Sequence, residues 1–140
     1  MFSIFKYFQK SSISPNNKKF LIVGLGNIGE EYTNTRHNIG FDIVDQLGRI
    51  LKGTFNAAKY GDILKSKYAG KQIILLKPNT FMNLSGKAVL YWLKKEKIHT
   101  NNLIVIVDDL NINFGVSRLK PSGSDGGHNG LKDITNSLNT

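Results

Sequence analysis

The feature that most constrains the fold is an unbroken run of aliphatic side chains over residues 103–107, which ends abruptly at Asp108 and Asp109. Strands that are apolar on both faces are typical of parallel sheets whose two faces are covered by helices. The run therefore predicts a central strand of an α/β domain, with two acidic residues at its carboxyl end.

A second apolar strand, followed by a glycine loop, opens this domain. Residues 19–23 are a short apolar run, and Gly24, Gly26 and Gly29 then follow in the pattern G-x-G-x-x-G. The pattern indicates dinucleotide binding when a helix begins inside the loop. Residues 30–38 are polar and carry no apolar helical stripe. The sequence therefore argues against a nucleotide cofactor. Dinucleotide binding is the rival hypothesis.

The spacing of apolar residues predicts the remaining elements. They are a helix over residues 41–51, a hairpin of strands over residues 63–68 and 72–76, a helix around residues 88–93, a strand at residues 116–119 and a helix over residues 131–138. A hairpin beside parallel strands makes the sheet mixed. Because 140 residues suit one compact unit, we expect a single α/β domain over residues 19–140, with its mixed β-sheet flanked by helices.

Composition limits which partners the protein can bind and in which compartment it is expected. Nineteen Lys and Arg against ten Asp and Glu give a formal charge of +9, which suits nucleic acid, although simple solubility would explain it equally well. The absence of cysteine excludes disulfides, thiolate metal sites and a cysteine nucleophile, and it favours a reducing, cytoplasmic location. No apolar run approaches the roughly 20 residues that cross a bilayer, so we expect no membrane partner.

Residues 1–18 form an N-terminal extension that we expect to be flexible. Phe2, Phe5 and Phe8 recur at helical spacing among lysines and serines, as in an organelle transit peptide. The segment contains no arginine, and its apolar stretch is too interrupted for a secretory signal. Organellar targeting by residues 1–18 thus stays an open alternative to a cytoplasmic location.

The loops that follow the predicted strands carry the candidate site residues. If those strands are parallel, the loops meet at one edge of the sheet. A histidine with a carboxylate partner is a general base that can deprotonate water, and asparagine amides can bind the attacked carbonyl without titrating. The residues are Asn27, Tyr32 and His37 after the first strand, Phe81, Met82 and Asn83 after the hairpin, Asp108 after the central strand, and Asn129 in the glycine-rich segment.

Other chemistries fit the sequence less well. His37, His99 and His128 show no spacing typical of metal ligands, so we expect no metal. Ser85 lacks the leading glycine of a nucleophile elbow and suits the start of a helix. Taken singly, a histidine is as often structural as catalytic, and Asp108 would serve equally well as a residue that forms a turn at a strand end.

Four motifs resemble the bacterial-type peptidyl-tRNA hydrolases, and they occur in the order that this family has them. They are residues 24–41, residues 77–86, residues 108–110 and residues 126–131. Essentially all of residues 19–138 takes part in the resemblance. It implies a single α/β domain that hydrolyses the ester between a peptide and the terminal ribose of tRNA, with no cofactor and no metal.

The resemblance also implies a role for each matching residue. His37 would be the catalytic base, Asp108 would stabilise its protonated form, and Asn27 would help to distinguish peptidyl from aminoacyl substrates. The groove for the peptide and the tRNA end would be lined by Tyr32, Phe81, Met82, Asn83 and Asn129. We therefore expect peptidyl-tRNA as the partner and a monomeric protein.

Members of that family continue after residues 131–138 with a core strand, a basic lid and a terminal helix, which this sequence lacks. The resemblance thus implies a truncated domain with an open sheet edge and a last helix whose apolar face, Leu131, Ile134 and Leu138, has little to cover it. We expect such a chain to unfold without a sharp transition and to bind a hydrophobic dye. An inactive, RNA-binding module, such as a splicing factor, is the alternative function.

Overall fold

The computed structural model describes residues 2–6, 18–26, 38–108, 117–120 and 129–138. The strands in these ranges are β1 Phe2–Lys6, β2 Lys19–Gly24, β3 Asn56–Ala58, β4 Gly61–Tyr68, β5 Lys71–Pro78, β6 Leu103–Asp108 and β7 Ser117–Lys120. The helices are α1 Ile39–Ile50, α2 Ser85–Lys95 and α3 Asn129–Leu138, with short 3-10 turns at Met82–Leu84 and Thr100–Asn102. The strands form one sheet in the order β3-β4-β5-β2-β6-β1-β7.

Three parallel strands form the centre of this sheet. β2 pairs in parallel with β5 on one side and with β6 on the other, whereas β4 runs antiparallel to β5. Every residue of β6 except the half-buried Ile104 is buried, as its aliphatic run predicts. The α/β class and the mixed sheet expected from the sequence are therefore confirmed.

Helices cover both faces of the central strands. On one face, Val44 of α1 packs with Leu75 and Ile106, and on the other face α2 and α3 pack on a larger cluster that contains Val105. Successive residues of a strand point to opposite faces of the sheet. Val105 and Ile106 are therefore both buried, which explains why β6 needs an unbroken aliphatic run rather than an alternating one.

The expectation that the last helix has an uncovered apolar face is wrong. Leu131 and Ile134 are 1% and 0% exposed, and Leu138 is 8% exposed. α3 packs against α2 and the Met82–Leu84 turn, and it shares one core cluster with β2 and β6. Periodicity shows which face of a helix is apolar, but it does not show which surface will cover that face.

Residues 2–6 differ from the flexible segment that the sequence predicts. β1 pairs antiparallel with β6 and parallel with β7, so it lies between these two strands in the sheet. Strand pairing uses backbone groups, so a phenylalanine spacing that suggests a helix does not prevent it. The division into an extension at residues 1–18 and a domain at residues 19–140 stays a prediction.

Replacing Ile134 by alanine should lower the free energy of unfolding by about 2–5 kcal/mol, because the truncated side chain leaves a cavity between α3 and the sheet. Urea unfolding followed by circular dichroism measures the change. Asn136→Ala, at an exposed position of the same helix, is the control and should change stability by less than about 0.5 kcal/mol. Equally small effects of both substitutions would show that α3 does not cover the core in solution.

Candidate functional site

The carboxyl ends of the three central strands meet at one edge of the sheet. β2 ends at Gly24, β5 at Pro78 and β6 at Asp108, and parallel pairing places these ends side by side. Ligand sites of parallel α/β sheets lie beyond this edge. The condition under which the sequence predicts a common site, namely parallel strands, is therefore met.

Helix α1 begins directly against this edge because glycines allow its backbone to approach the strands. A side chain at Gly40 would collide with the backbone of Leu25 and Ile106, and one at Gly24 would collide with the carbonyl oxygen of Gly40. The Leu25 amide donates to the Ile106 carbonyl oxygen at 3.0 Å, which joins β6 to the chain leaving β2. The first glycine of the G-x-G-x-x-G pattern thus serves the packing of helix on strand.

The start of α1 also contacts the loop that leaves β2. Asn38 is buried, and a Cβ atom at Gly26 would lie only 2.8 Å from Asn38 Oδ1 and 2.7 Å from the ring of Phe41. Such distances are shorter than ordinary van der Waals contact, so a side chain at Gly26 would require the side chains of Asn38 and Phe41 to shift. This contact sets where the chain leaves β2 and where it enters α1.

Asp108 ends β6 and is 5% exposed. A carboxylate that is largely withdrawn from water interacts strongly with a nearby positive charge, because little solvent screens the pair. Such a group is suited to orienting and stabilising an imidazolium. Its burial at the carboxyl edge agrees with the role that the sequence predicts.

The segment after β5 presents an aromatic ring and polar amides to solvent. Phe81 is 76% exposed, Asn83 is exposed, and Met82 is half-buried against the core cluster. A large exposed apolar side chain gains free energy when a ligand covers it. Residues 81–84 therefore form an exposed and partly apolar surface beside the carboxyl end of β5.

One hydrogen bond joins this turn to α2, and a second joins α2 to α3. Ser85 Oγ donates to the Met82 carbonyl oxygen at 2.7 Å, and the Gly86 amide donates to Asp133 Oδ2 at 2.6 Å. α2 has no side-chain cap of its own, so a carboxylate from α3 satisfies an amide in its first turn. Ser85 thus fastens the turn and does not cap α2 as the sequence predicted, because Leu84 occupies the N-cap position.

Asp133 joins α2 to α3, two helices that are far apart in sequence. α3 begins with the exposed Asn129, and its Asp133 is bonded to the helix that follows the turn carrying Asn83. A Cβ atom at Gly86 would collide with the side chains of Asp133 and Ser137, so the two helices approach closely there. Sequence reasoning missed Asp133, since nothing local indicates its partner.

The structure describes five of the eight predicted site residues. These five lie on or beside elements that end at the carboxyl edge or pack against the Met82–Leu84 turn: Phe81, Met82, Asn83, Asp108 and Asn129. The other three lie outside the described residues: Asn27, Tyr32 and His37. The roles of all eight residues stay predictions.

A separate cluster of charges lies at the opposite edge, where β2 begins. Lys65 Nζ and Lys19 Nζ lie 2.6 Å and 3.5 Å from the carboxylate oxygens of Glu96. Burial raises the pKa of Glu96, but the hydrogen bond from Lys65 and the charge of Lys19 outweigh it, so the pKa lies below its ordinary value. These ion pairs tie the end of α2 to β2 and β4, and we interpret the cluster as structural.

Neither a metal cluster nor a membrane-spanning helix occurs within the described ranges. No three His, Cys, Asp or Glu side chains in them are grouped so that they would hold a metal ion. None of the helices described is both long and apolar enough to span a bilayer.

A family model described as peptidyl-tRNA hydrolase matches residues 21–140. The chain belongs to the peptidyl-tRNA hydrolase family. The resemblance carried by the four sequence motifs is thereby confirmed.

Individual members of the peptidyl-tRNA hydrolase family show the extent of the similarity. The peptidyl-tRNA hydrolase of Parabacteroides distasonis is 57% identical over 122 residues, which are 87% of this chain and 65% of the relative. The peptidyl-tRNA hydrolase of Clostridium botulinum is 48% identical over 122 residues, which are 86% of this chain and 65% of that relative. The crystal structure of peptidyl-tRNA hydrolase from Acinetobacter baumannii matches with a TM-score of 0.82 at 39% identity, over 89% of this chain and 65% of that chain. This chain thus spans about 65% of the length of these relatives.

Replacing Asp133 by alanine should loosen the Met82–Leu84 turn, because the Gly86 amide loses its acceptor. Loss of a capping partner costs about 0.5–2 kcal/mol, so stability to urea should fall by that amount. Amide hydrogen exchange at residues 82–86 should become faster. Asp133→Asn keeps an acceptor oxygen and should retain most of the protection. Unchanged exchange in Asp133→Ala would contradict the proposed link between α2 and α3.

Proposed function

We propose that this chain is an esterase that releases peptides from peptidyl-tRNA. The observation that carries the proposal is the common carboxyl edge of β2, β5 and β6, where the buried Asp108 stands in a motif of the family. The names of the relatives support the same activity. They are longer than this chain, so their activity supports the proposal by analogy.

In the proposed reaction, His37 takes a proton from a water molecule, whose oxygen attacks the carbonyl carbon of the ester. Asp108 fixes the imidazole tautomer and stabilises the imidazolium that forms. The tetrahedral intermediate then collapses, and the bond from the carbonyl carbon to the ribose oxygen breaks. The ribose oxygen receives the proton from the imidazolium, which leaves a free peptide acid and an intact tRNA. These steps use no metal and no cofactor.

Neutral amides suit the binding part of this site. An asparagine offers both a donor and an acceptor and keeps them at every physiological pH. Asn83 lies in the Met82–Leu84 turn and Asn129 begins α3, which packs against that turn; both are exposed, so we propose that they bind the peptide and the tRNA end. Asn27 would distinguish peptidyl from aminoacyl substrates, and the same groove would include Tyr32, Phe81 and Met82.

Peptidyl-tRNA is then the proposed partner, and the formal charge of +9 agrees with a polyanionic substrate. A cytoplasmic location and a monomeric state stay predictions. Turnover separates the proposed enzyme from a non-catalytic RNA-binding module, because both would bind RNA and only the enzyme would cleave the ester.

Replacing His37 by alanine should lower kcat for a defined peptidyl-tRNA by about 100-fold or more, which is what a general base commonly contributes. Release of the labelled peptide measures the rate. His99→Ala is the matched control, because His99 Nδ1 accepts a hydrogen bond from the Asn101 amide at 3.1 Å in the segment before β6. It should leave kcat unchanged.

Undiminished turnover in His37→Ala would refute the assignment of the base. Tight RNA binding by the unsubstituted chain without any release of peptide would favour the RNA-binding module instead. Both results are read from the same two assays, peptide release and RNA affinity.

A further inference from the structure

Lysine and tyrosine side chains gather on α2 and on the turn between β3 and β4. We call this group the lysine–tyrosine surface, and its members are Lys59, Tyr60, Lys87, Tyr91 and Lys95. The rings of Tyr60 and Tyr91 meet edge to face, with their centroids 5.4 Å apart. Edge-to-face contact is a favoured arrangement of aromatic rings, so the pair gives this surface a rigid centre.

Three ammonium groups surround the ring pair. Lys59 Nζ lies 5.3 Å from the centroid of the Tyr60 ring and 5.1 Å from that of Tyr91. Lys87 Nζ lies 5.5 Å from the Tyr60 ring, and Lys95 Nζ lies 5.7 Å from the Tyr91 ring. Cation–π attraction favours these positions, so three positive charges are held within a small area.

In the part of the chain that the structure describes, none of these three ammonium groups forms an ion pair with an acidic side chain. The ion pairs found there use other lysines, namely Lys19, Lys65 and Lys77. α2 itself contains no acidic residue. Like charges that are held together repel one another, and a polyanion that lies across them relieves this repulsion.

The surface adjoins the candidate site and is firmly attached to it. The amide of Asn79, the residue after β5, donates to the Tyr60 carbonyl oxygen at 2.8 Å. Trp92 Nε1 donates to the Lys59 carbonyl oxygen at 2.8 Å, which fastens the turn between β3 and β4 to α2. α2 follows the Met82–Leu84 turn directly, so the lysines begin where the proposed substrate groove ends.

We propose that the lysine–tyrosine surface binds the ribose–phosphate backbone of the tRNA part of the substrate, outside the groove that binds the ester. This rests on the proposed function, because it takes tRNA as the substrate. Fixed ammonium groups suit regularly spaced phosphates, whereas a peptide of varied sequence carries no regular charge. The phenol hydroxyl groups supply donors for phosphate or ribose oxygens.

The test is the affinity of the 140-residue chain for deacylated tRNA, measured by fluorescence anisotropy over a range of salt concentrations. The variant Lys59→Gln, Lys87→Gln, Lys95→Gln should raise Kd by about 10-fold or more at low salt. It should also lower the slope of log affinity against log salt by about 1 for each lysine. The corresponding arginine variant keeps the charge and should keep most of the affinity.

The matched control is Lys52→Gln, Lys67→Gln, Lys71→Gln, which removes the same charge from exposed positions elsewhere. An equal loss of affinity in both triple variants would overturn the proposal, since it would show only a general effect of charge. If the first triple variant does not fold, Lys87→Gln at its exposed position decides the matter through a salt slope lower by about 1.

Two further outcomes separate this inference from its alternatives. Unchanged tRNA affinity in the first triple variant, with lost affinity for vesicles that contain anionic phospholipid, would overturn the proposal and assign the surface to a membrane. Absence of peptide release by the unsubstituted chain would refute the proposed function. The affinity of the variants for deacylated tRNA would still decide whether the surface binds RNA.

Discussion

α1 approaches β2 and β6 more closely than any side chain at the contact would allow. Gly40 lies against the backbone of Leu25 and Ile106, and Gly24 lies against the carbonyl oxygen of Gly40. This contact sets the start of α1 relative to the carboxyl ends of the parallel strands. Since Asp108 follows Ile106 by two residues, the same contact also sets the distance from α1 to the buried carboxylate.

The opposite face of the sheet depends on a different contact, the one between α2 and α3. Asp133 accepts from the Gly86 amide, and no side chain fits between the helices at Gly86. α2 therefore carries three features at once: the bonded end of the Met82–Leu84 turn, the contact with α3, and the lysines of the lysine–tyrosine surface. A substitution that shifts α2 would disturb the groove and that surface together.

Much of the fold was predictable because buried positions recur in the sequence with the period of the helix or strand that they belong to. The aliphatic run of β6, the apolar stripe of α1 and the hairpin of β4 and β5 each appear where the pattern places them. Placement of β1 was not predictable, since its pairing with β6 and β7 uses backbone groups that every sequence has. The packing of Ile134 against the core was not predictable either, because an apolar stripe on a helix does not indicate which surface will pack against it.

The candidate site shows the same division. Sequence by itself determined which residue types follow each strand, so it supplied Asp108, Phe81, Asn83 and Asn129 as candidates, and the order of the motifs indicated the family. Only the tertiary structure decided that β2, β5 and β6 run parallel and end at one edge, and that Asp133 holds α3 to α2. The physical reason is the distance along the chain over which each property is set. Side-chain chemistry and local periodicity depend on neighbouring residues, whereas strand pairing and helix packing depend on residues that are distant in the chain.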